Sequence, residues 1–406
     1  MERINRWVYA VAGVLILLLA GLVYAWSILS GPISAEFPQW SKAQLSLTFT
    51  IVMGAFCVGC LIAGFLAAKI DPRVLCLCSA ALFLGGFFAA SRMQSLMELY
   101  LSFGVICGLA SGLVYNVVMS NISKRFADRQ GLISGVLLMG FGISSFLIGK
   151  LYQMFTPDAI GAWRSSFLII GIVACVVLVV CSPFMRRPQT APPAKSSGRS
   201  TAQDVPTGRM LRTPAFWLYY LWAILLSAAG LALVSQASGI AREVGAGVSP
   251  GAIATVVGLI SIANGVGRVI LGSMFDRRGR QTTMMLVNLL FIITAALLIV
   301  ALRSQSFTLI VIGFVVGGLG YGGVTPTNSA FISARFGQKH YPVNFSCVNT
   351  NLMIASFGST IAGALFDVSQ SYFSTYILML VLAVLGIAVT YGIQVSDRQV
   401  GCLVDG

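Results

Sequence analysis

The segment ANGVGRVILGSMFDRRGR, Ala263–Arg280, joins two unlike pieces. Its first part is apolar except for Asn264 and Arg268, whereas its last part sets Asp276, Arg277, Arg278 and Arg280 around Gly279. Apolar runs extend on both sides, over 250–275 and 282–302. Each is long enough to span a hydrocarbon core, which takes about 20 apolar residues. A short charged turn between two such runs reads as a hairpin of membrane-spanning helices with its charges at the surface. Gly279 supplies the residue without a Cβ that so tight a turn needs.

The rest of the chain repeats this pattern. Of its residues 57% are hydrophobic and only 9% charged, with a mean hydropathy of +0.89. Soluble domains carry roughly 25% charged residues, so this is an all-α integral membrane protein whose partner is the lipid bilayer. Twelve spans are predicted, near 7–30, 44–68, 74–91, 98–121, 132–154, 164–184, 214–238, 250–275, 282–302, 306–333, 342–366 and 373–395. The first is too long for a signal-peptide core of about 7–15 residues and is read as an uncleaved helix.

Charge sets the orientation. With the N-terminus inside, 19 of the 26 Lys and Arg fall on the cytoplasmic side, 6 fall outside, and Arg268 remains. Basic residues collect in cytoplasmic loops, so both termini are expected in the cytoplasm. The same rule accounts for the net charge of +14 without nucleic-acid binding. Nine Cys and one His make no metal inventory. The pairs Cys57/Cys60 and Cys76/Cys78 lie in apolar helices with no His near, where free Cys acts as a small hydrophobe.

Residues 185–213, rich in Pro, Ser, Thr and basic side chains, read as a flexible cytoplasmic linker. The expected organisation is a six-helix bundle over 1–184, the linker, a second bundle over 214–396 and a cytoplasmic tail over 397–406. The halves echo each other. Trp7–Tyr9 (WVY) recurs as Trp217–Tyr219 (WLY), 210 positions on. Gly64, in GFLAAKIDPR, recurs 208 positions on as Gly272, in GSMFDRRGR. Parallel repeats around a midplane site are a common transporter plan.

The pattern G-x-x-x-D-R-x-G-R at Gly272–Arg280 resembles the signature of the major facilitator superfamily, placed between the second and third helices of a half. The resemblance implies a gating role for Asp276, Arg277, Gly279 and Arg280. In the first half Lys69 and Arg73 are retained but Ala68 replaces the acid, which predicts a weaker latch. Gly104, Gly108 and Gly112 suit close helix packing. The run Gly317-Gly-Leu-Gly-Tyr-Gly-Gly323, followed by Pro326, is expected to form a hinge or cavity wall.

Asn264 and Arg268 are four residues apart and share one helix face. Arg268 lies eight residues before Asp276, roughly 12 Å into the membrane at about 1.5 Å per residue. A charge at that depth is costly and marks a substrate or ion pathway. No Asp, Glu or His falls at that depth in the sequence. A small organic anion is therefore the expected partner, and a guanidinium fork suits a carboxylate. The competing reading is an arginine that snorkels to the cytoplasmic surface or binds helix carbonyls. Tyr24, Tyr115 and Tyr321 offer hydroxyls at comparable depth. Asn116 follows Tyr115, and Asn349 sits in a polar eleventh helix beside Asn344, Thr350 and Asn351.

Over nearly its whole length the chain resembles the oxalate/formate antiporter family of that superfamily and, more distantly, the monocarboxylate transporters. The resemblance is carried by NRWVYAVAGVLILLLAGLVYAWSI, GLVYNVVMSNISKRFADRQGLISG, MLRTPAFWLYY, ANGVGRVILGSMFDRRGR and GYGGVTPTNSA. It implies that Arg268 binds a substrate carboxylate and that Tyr24, Tyr115 and Tyr321 line the same pocket. Oxalate carriers have a lysine on the eleventh helix where this chain has Leu352, within a residue. One fixed charge suits a monoanion of the lactate, pyruvate or formate type. Proton-coupled relatives have an acid where Asn264 stands, so a proton as coupling ion is an open expectation.

The resulting expectation is a secondary active transporter, not an enzyme, working as a monomer in a plasma (bacterial inner) membrane with no cofactor. It would expose a single anion site between the halves by alternating access. A dicarboxylate/formate exchanger and an efflux antiporter for amphipathic compounds are the alternatives, although the helix-five Gly-Pro motif of such antiporters is absent. A non-transporting ligand sensor is the third.

Overall fold

A computed structural model describes residues 5–22, 26–40, 42–156, 160–186, 204–245 and 248–404. Regular structure among them is helical throughout. In chain order come α1 (Arg6–Ala20), α2 (Trp26–Glu36), α3 (Lys42–Leu66), α4 (Pro72–Ser91) and α5 (Leu96–Leu99). A π-helical stretch, Tyr100–Cys107, leads into α6 (Gly108–Ser123), then α7 (Gln130–Phe155), α8 (Trp163–Cys181) and α9 (Thr207–Met210). The remainder are α10 (Pro214–Val244), α11 (Pro250–Ser304), α12 (Phe307–Phe336), α13 (Tyr341–Asn349), α14 (Asn351–Ala355), α15 (Phe357–Ser369) and α16 (Phe373–Val404).

Nine helical runs among the described residues are long and apolar enough to cross a membrane. Two of them, Leu96–Ile148 and Thr255–Ser304, each hold two crossings. The breaks fall at Phe126 (φ −126°, ψ 40°) and at Gly279 (φ 80°, ψ 175°). With the first span, whose described helices are α1 and α2, the fold fits twelve crossings. Gly279 is where the sequence asked for a residue free of a Cβ, and its positive φ shows why.

Local sequence explains the starts. Asn5 accepts a hydrogen bond from Trp7 N (3.1 Å), and Asp71 accepts from Arg73 N (2.9 Å) with Pro72 next in line. Ser249 accepts from Ala252 N (3.3 Å) ahead of Pro250. All three are N-caps, and at Asp71 and Ser249 the next residue is the imino acid that loses no hydrogen bond at a helix start.

Two compact units emerge. One comprises Met1–Asp128, Val136–Thr201 and Tyr341–Asn349; the other comprises Arg129–Gly135, Ala202–His340 and Thr350–Gly406. In the first, Phe87 meets Phe103 and Phe167 edge-on at 5.8 and 5.7 Å, tying α4, the π-helical stretch and α8. In the second, Asn288 of α11 accepts from Trp222 Nε1 of α10 (3.0 Å) and donates to Thr390 Oγ1 of α16 (3.1 Å). That network has its buried polar atoms paired, as a bundle interior requires.

The structure adds detail at three places. At Gly21 α7 comes so close that a Cβ would stand 2.7 Å from the Phe141 carbonyl oxygen. The eleventh span, Tyr341–Ser369, is a single apolar crossing, with Thr350 and Ser356 at helical φ/ψ between its shorter helices. There Thr350 Oγ1 bonds Tyr220 Oη (2.8 Å) and Asn351 Oδ1 accepts from Ser227 Oγ (3.3 Å), which ties the span to α10. The linker's described ends are also anchored. Asn121 Nδ2 and Arg125 Nη2 donate to the Met185 and Arg186 carbonyls (3.1 and 2.6 Å), and Val205 N donates to Phe336 O (3.0 Å). Its middle, 187–203, lies outside the described residues.

Candidate functional site

Arg268 is held on α11, in the second unit, and is 5% exposed. Its Nε donates to Asn264 Oδ1 at 2.8 Å, across the one-turn spacing the sequence suggested. That bond fixes the plane of the guanidinium. Snorkelling to the surface does not occur.

The backbone under Arg268 is gripped by glycines. A Cβ on Gly322 of α12 would collide with the Asn264 carbonyl oxygen, and one on Gly318 would stand 2.7 Å from the Ile260 carbonyl. From α7, a Cβ on Gly135 would collide with the Arg268 carbonyl, and one on Gly131 with that of Gly272. Small residues at four-residue spacing let backbones approach this closely. The glycine run of α12 is thus a packing face, and α12 is continuous from Phe307 to Phe336 through Pro326. The hinge expected there is replaced by close packing. Sequence reasoning missed Gly131 and Gly135, although their spacing was a visible signal.

Tyr321, 4% exposed, lies in the same unit with its ring against α10 at Gly230, where a Cβ would collide with the ring. Tyr24 lies outside the described residues.

The other predicted groups sit in the first unit. Tyr115 is 2% exposed, stacked on Phe345 at 5.8 Å and edge-on to Phe56 and Phe141 at 5.1 and 5.4 Å. Asn116 Nδ2 donates to Pro342 O (3.0 Å) and Ser346 Oγ (2.7 Å), so its amide fastens α6 to α13. Asn349, one turn beyond Phe345 and fully buried, has no hydrogen-bond partner for either amide atom among the described residues. Buried amides are normally paired, so a group of this kind needs an explanation. Its carbonyl accepts from Cys57 Sγ at 3.7 Å.

At the turn, Asp276 Oδ1 and Oδ2 accept from Gly131 N (2.7 Å) and Leu132 N (2.8 Å). The carboxylate thereby caps α7, where unpaired N–H groups and the helix dipole favour a negative charge. Arg277 is exposed, and the Arg280 guanidinium lies 5.8 Å from the Phe331 ring centre. In the first unit Lys69 is exposed, and Arg73 Nε lies 3.9 Å from Asp71, which caps its own helix. Ala68 leaves that turn without the carboxylate that Asp276 provides.

The sequence profile of the Major Facilitator Superfamily matches residues 11–245 and 236–399, nearly the whole chain. The chain belongs to the major facilitator superfamily. It is a membrane transporter and not an enzyme. It is 26% identical over 349 residues to the oxalate:formate antiporter of Oxalobacter formigenes, covering 83% of this chain and 80% of that one. It is likewise 26% identical over 337 residues to monocarboxylate transporter 13 of Rattus norvegicus, covering 83% and 76%. The fold also matches the proton:xylose symporter XylE, with a TM-score of 0.72, 14% identity and 96% of each chain covered. At that identity the likeness concerns fold alone.

Proposed function

We propose that this superfamily member is a secondary carrier of small monocarboxylates of the lactate, pyruvate or formate type. The observation that carries the reading is the buried Arg268 guanidinium, oriented through Nε by Asn264. A guanidinium carries its N–H donors as a planar fork, the geometry that pairs with a carboxylate. Tyr321, Tyr115, Tyr24 and Asn349 are proposed as hydrogen-bonding groups for the same substrate, whereas the Asn116 amide donates to α13 instead. The names of the two relatives, an oxalate:formate antiporter and a monocarboxylate transporter, agree with an anionic substrate. The plasma membrane, cytoplasmic termini and a monomeric state belong to the same proposal. The test is uptake of labelled lactate, pyruvate, formate and oxalate into proteoliposomes, with and without an imposed pH gradient. Uptake of none of the monocarboxylates above protein-free vesicles would sink the reading.

Leu352, 3% exposed in α14, stands where the resemblance places a second base in oxalate carriers. Leu352→Lys is expected to shift competition of labelled monocarboxylate uptake toward oxalate. An unchanged ratio of inhibition by lactate and oxalate would count against that placement.

Asp276, Arg277, Gly279 and Arg280, with Lys69 and Arg73, are proposed to govern gating. Asp276→Asn keeps one acceptor but loses the charge on the helix end, a contribution of about 0.3–1 kcal/mol. Turnover is expected to change several-fold while KM stays within about twofold. A changed KM with unchanged turnover would move Asp276 from gating to binding.

A further inference from the structure

The first helix of each repeat ends on a glutamate, and in both repeats the start of the last helix takes up that carboxylate. In the first unit Glu36 closes α2. Its Oε2 accepts from Trp163 Nε1 (2.6 Å) and its Oε1 from Arg164 Nη2 (2.7 Å), both at the start of α8. Arg164 Nη1 also donates to the carbonyls of Ser91 (3.2 Å) and Met93 (2.9 Å), where α4 ends. The side chains of Arg164 and Glu36 are 24% and 19% exposed, so water screens the pair little. Burial raises the Glu36 pKa, but the hydrogen bonds from Arg164 and Trp163 outweigh it and hold the carboxyl below its ordinary value.

In the second unit Glu243 lies in the last turn of α10. Its Oε2 accepts from Tyr372 N (3.1 Å), the residue that precedes α16. The Tyr372 hydroxyl donates to Gln236 Oε1 (3.3 Å), two turns back on α10. Gly239 lies between, where a Cβ would collide with that hydroxyl. The Tyr372 ring stacks on Phe366 of α15 at 4.4 Å.

The sequence offsets tie the two arrangements together. Glu36 and Glu243 are 207 positions apart, and Trp163 and Tyr372 are 209 apart. The repeat markers Trp7/Trp217 and Gly64/Gly272 are 210 and 208 apart. The carboxylate and its aromatic partner therefore occupy equivalent places in the two copies, although the partner has changed from an indole and a guanidinium to a backbone N–H. A contact that keeps its place while its chemistry changes is being used for position.

We propose that Glu36 and Glu243 are a duplicated clasp that keeps the ends of the first and last helices of each repeat joined throughout the transport cycle. The proposal rests on the carrier reading, and both glutamates act as positioning residues, away from substrate. The joined ends would be those opposite the linker, at the expected extracellular face.

The experiment is to link the ends covalently. Glu36→Cys/Arg164→Cys protein in proteoliposomes is assayed with the labelled monocarboxylate that the wild type takes up, before and after a short bis-maleimide. Each single-cysteine variant is treated in parallel, so that labelling of the exposed native Cys78 is accounted for. The expected result is at least a fivefold loss of maximal rate in the double variant, with KM within twofold, and recovery to within twofold of wild type on cross-linking. A merely stabilising contact would not give recovery of rate with KM unmoved. Inhibition by the cross-link would show that these ends must separate, and it overturns the proposal, as does a double variant that transports at the wild-type rate.

Two further variants keep the question decidable without the cross-link. The charge swap Glu36→Arg/Arg164→Glu should transport better than either single reversal, and a swap no better than the singles counts against the clasp. Glu243→Ala should lower the maximal rate at least threefold, and wild-type rates there remove the duplication. Absence of uptake in the wild type would sink the carrier reading instead, so the two failures are distinct.

Discussion

Arg268→Ala is expected to reduce monocarboxylate uptake to the background of protein-free vesicles. Truncating one member of a buried, hydrogen-bonded charge pair costs about 2–5 kcal/mol, roughly 30- to 4,000-fold in affinity. The carboxylate would then enter a site without its counter-charge, and desolvation would oppose it. Arg268→Lys keeps the charge but loses both the fork and the Nε that Asn264 holds at 2.8 Å. It should fall between alanine and wild type, with the larger defect in KM. Asn264→Ala leaves the charge in place and frees its plane, so a loss of about tenfold is expected, the scale of one hydrogen bond to a charged group. Asn264→Asp would set an acid against the guanidinium and make uptake depend on pH, since the anion competes with an ionised aspartate and not with a protonated one. The measurement is initial uptake against substrate concentration for the four proteins at two pH values. Wild-type kinetics in Arg268→Ala would show that the carboxylate binds elsewhere.

Much of this architecture was visible in the residues themselves. Helix length and charge placement gave twelve crossings, because a bilayer leaves backbone groups few alternatives to a helix. The Asn264–Arg268 pair could be read from spacing alone, since residues four apart must share a helix face. Asp276 was legible as a helix-end residue, but not which helix it would cap. That choice lies in Gly131 and Leu132, 145 and 144 positions away. Asn116 illustrates a second limit. An asparagine at membrane depth suits a ligand or a neighbouring helix equally well in sequence, and the structure gives its Nδ2 to Pro342 and Ser346 of α13. Asn349 goes the other way, its amide buried without a protein partner among the described residues. The bonds that tie the eleventh crossing to α10 escaped notice because apolar periodicity carries no trace of such contacts.

The glycine grip beneath Arg268 leads to the second large effect. Gly322→Leu is expected to abolish both transport and the folded protein's thermal transition, and Gly322→Ala to impair both severely. Even a single Cβ there would collide with the Asn264 carbonyl oxygen and stand 2.9 Å from Arg268 N. Those atoms belong to the helix backbone, which cannot rotate away as a side chain can, so α11 and α12 must separate. Separation by even a few tenths of an ångström would displace the turn that carries Asn264 and Arg268. Overpacking in a tight interior costs about 1–3 kcal/mol when side chains can yield, and more when they cannot. Gly85 of α4 provides the control, since a Cβ there would meet nothing within 4 Å. Gly85→Ala should raise stability slightly, by about 0.5–1 kcal/mol from helix propensity alone, and leave uptake unchanged. Thermal unfolding in detergent and uptake by the same preparations would separate the two outcomes. Equal behaviour of Gly322→Ala and Gly85→Ala would mean that the close approach of α12 to α11 is not what holds the arginine in place.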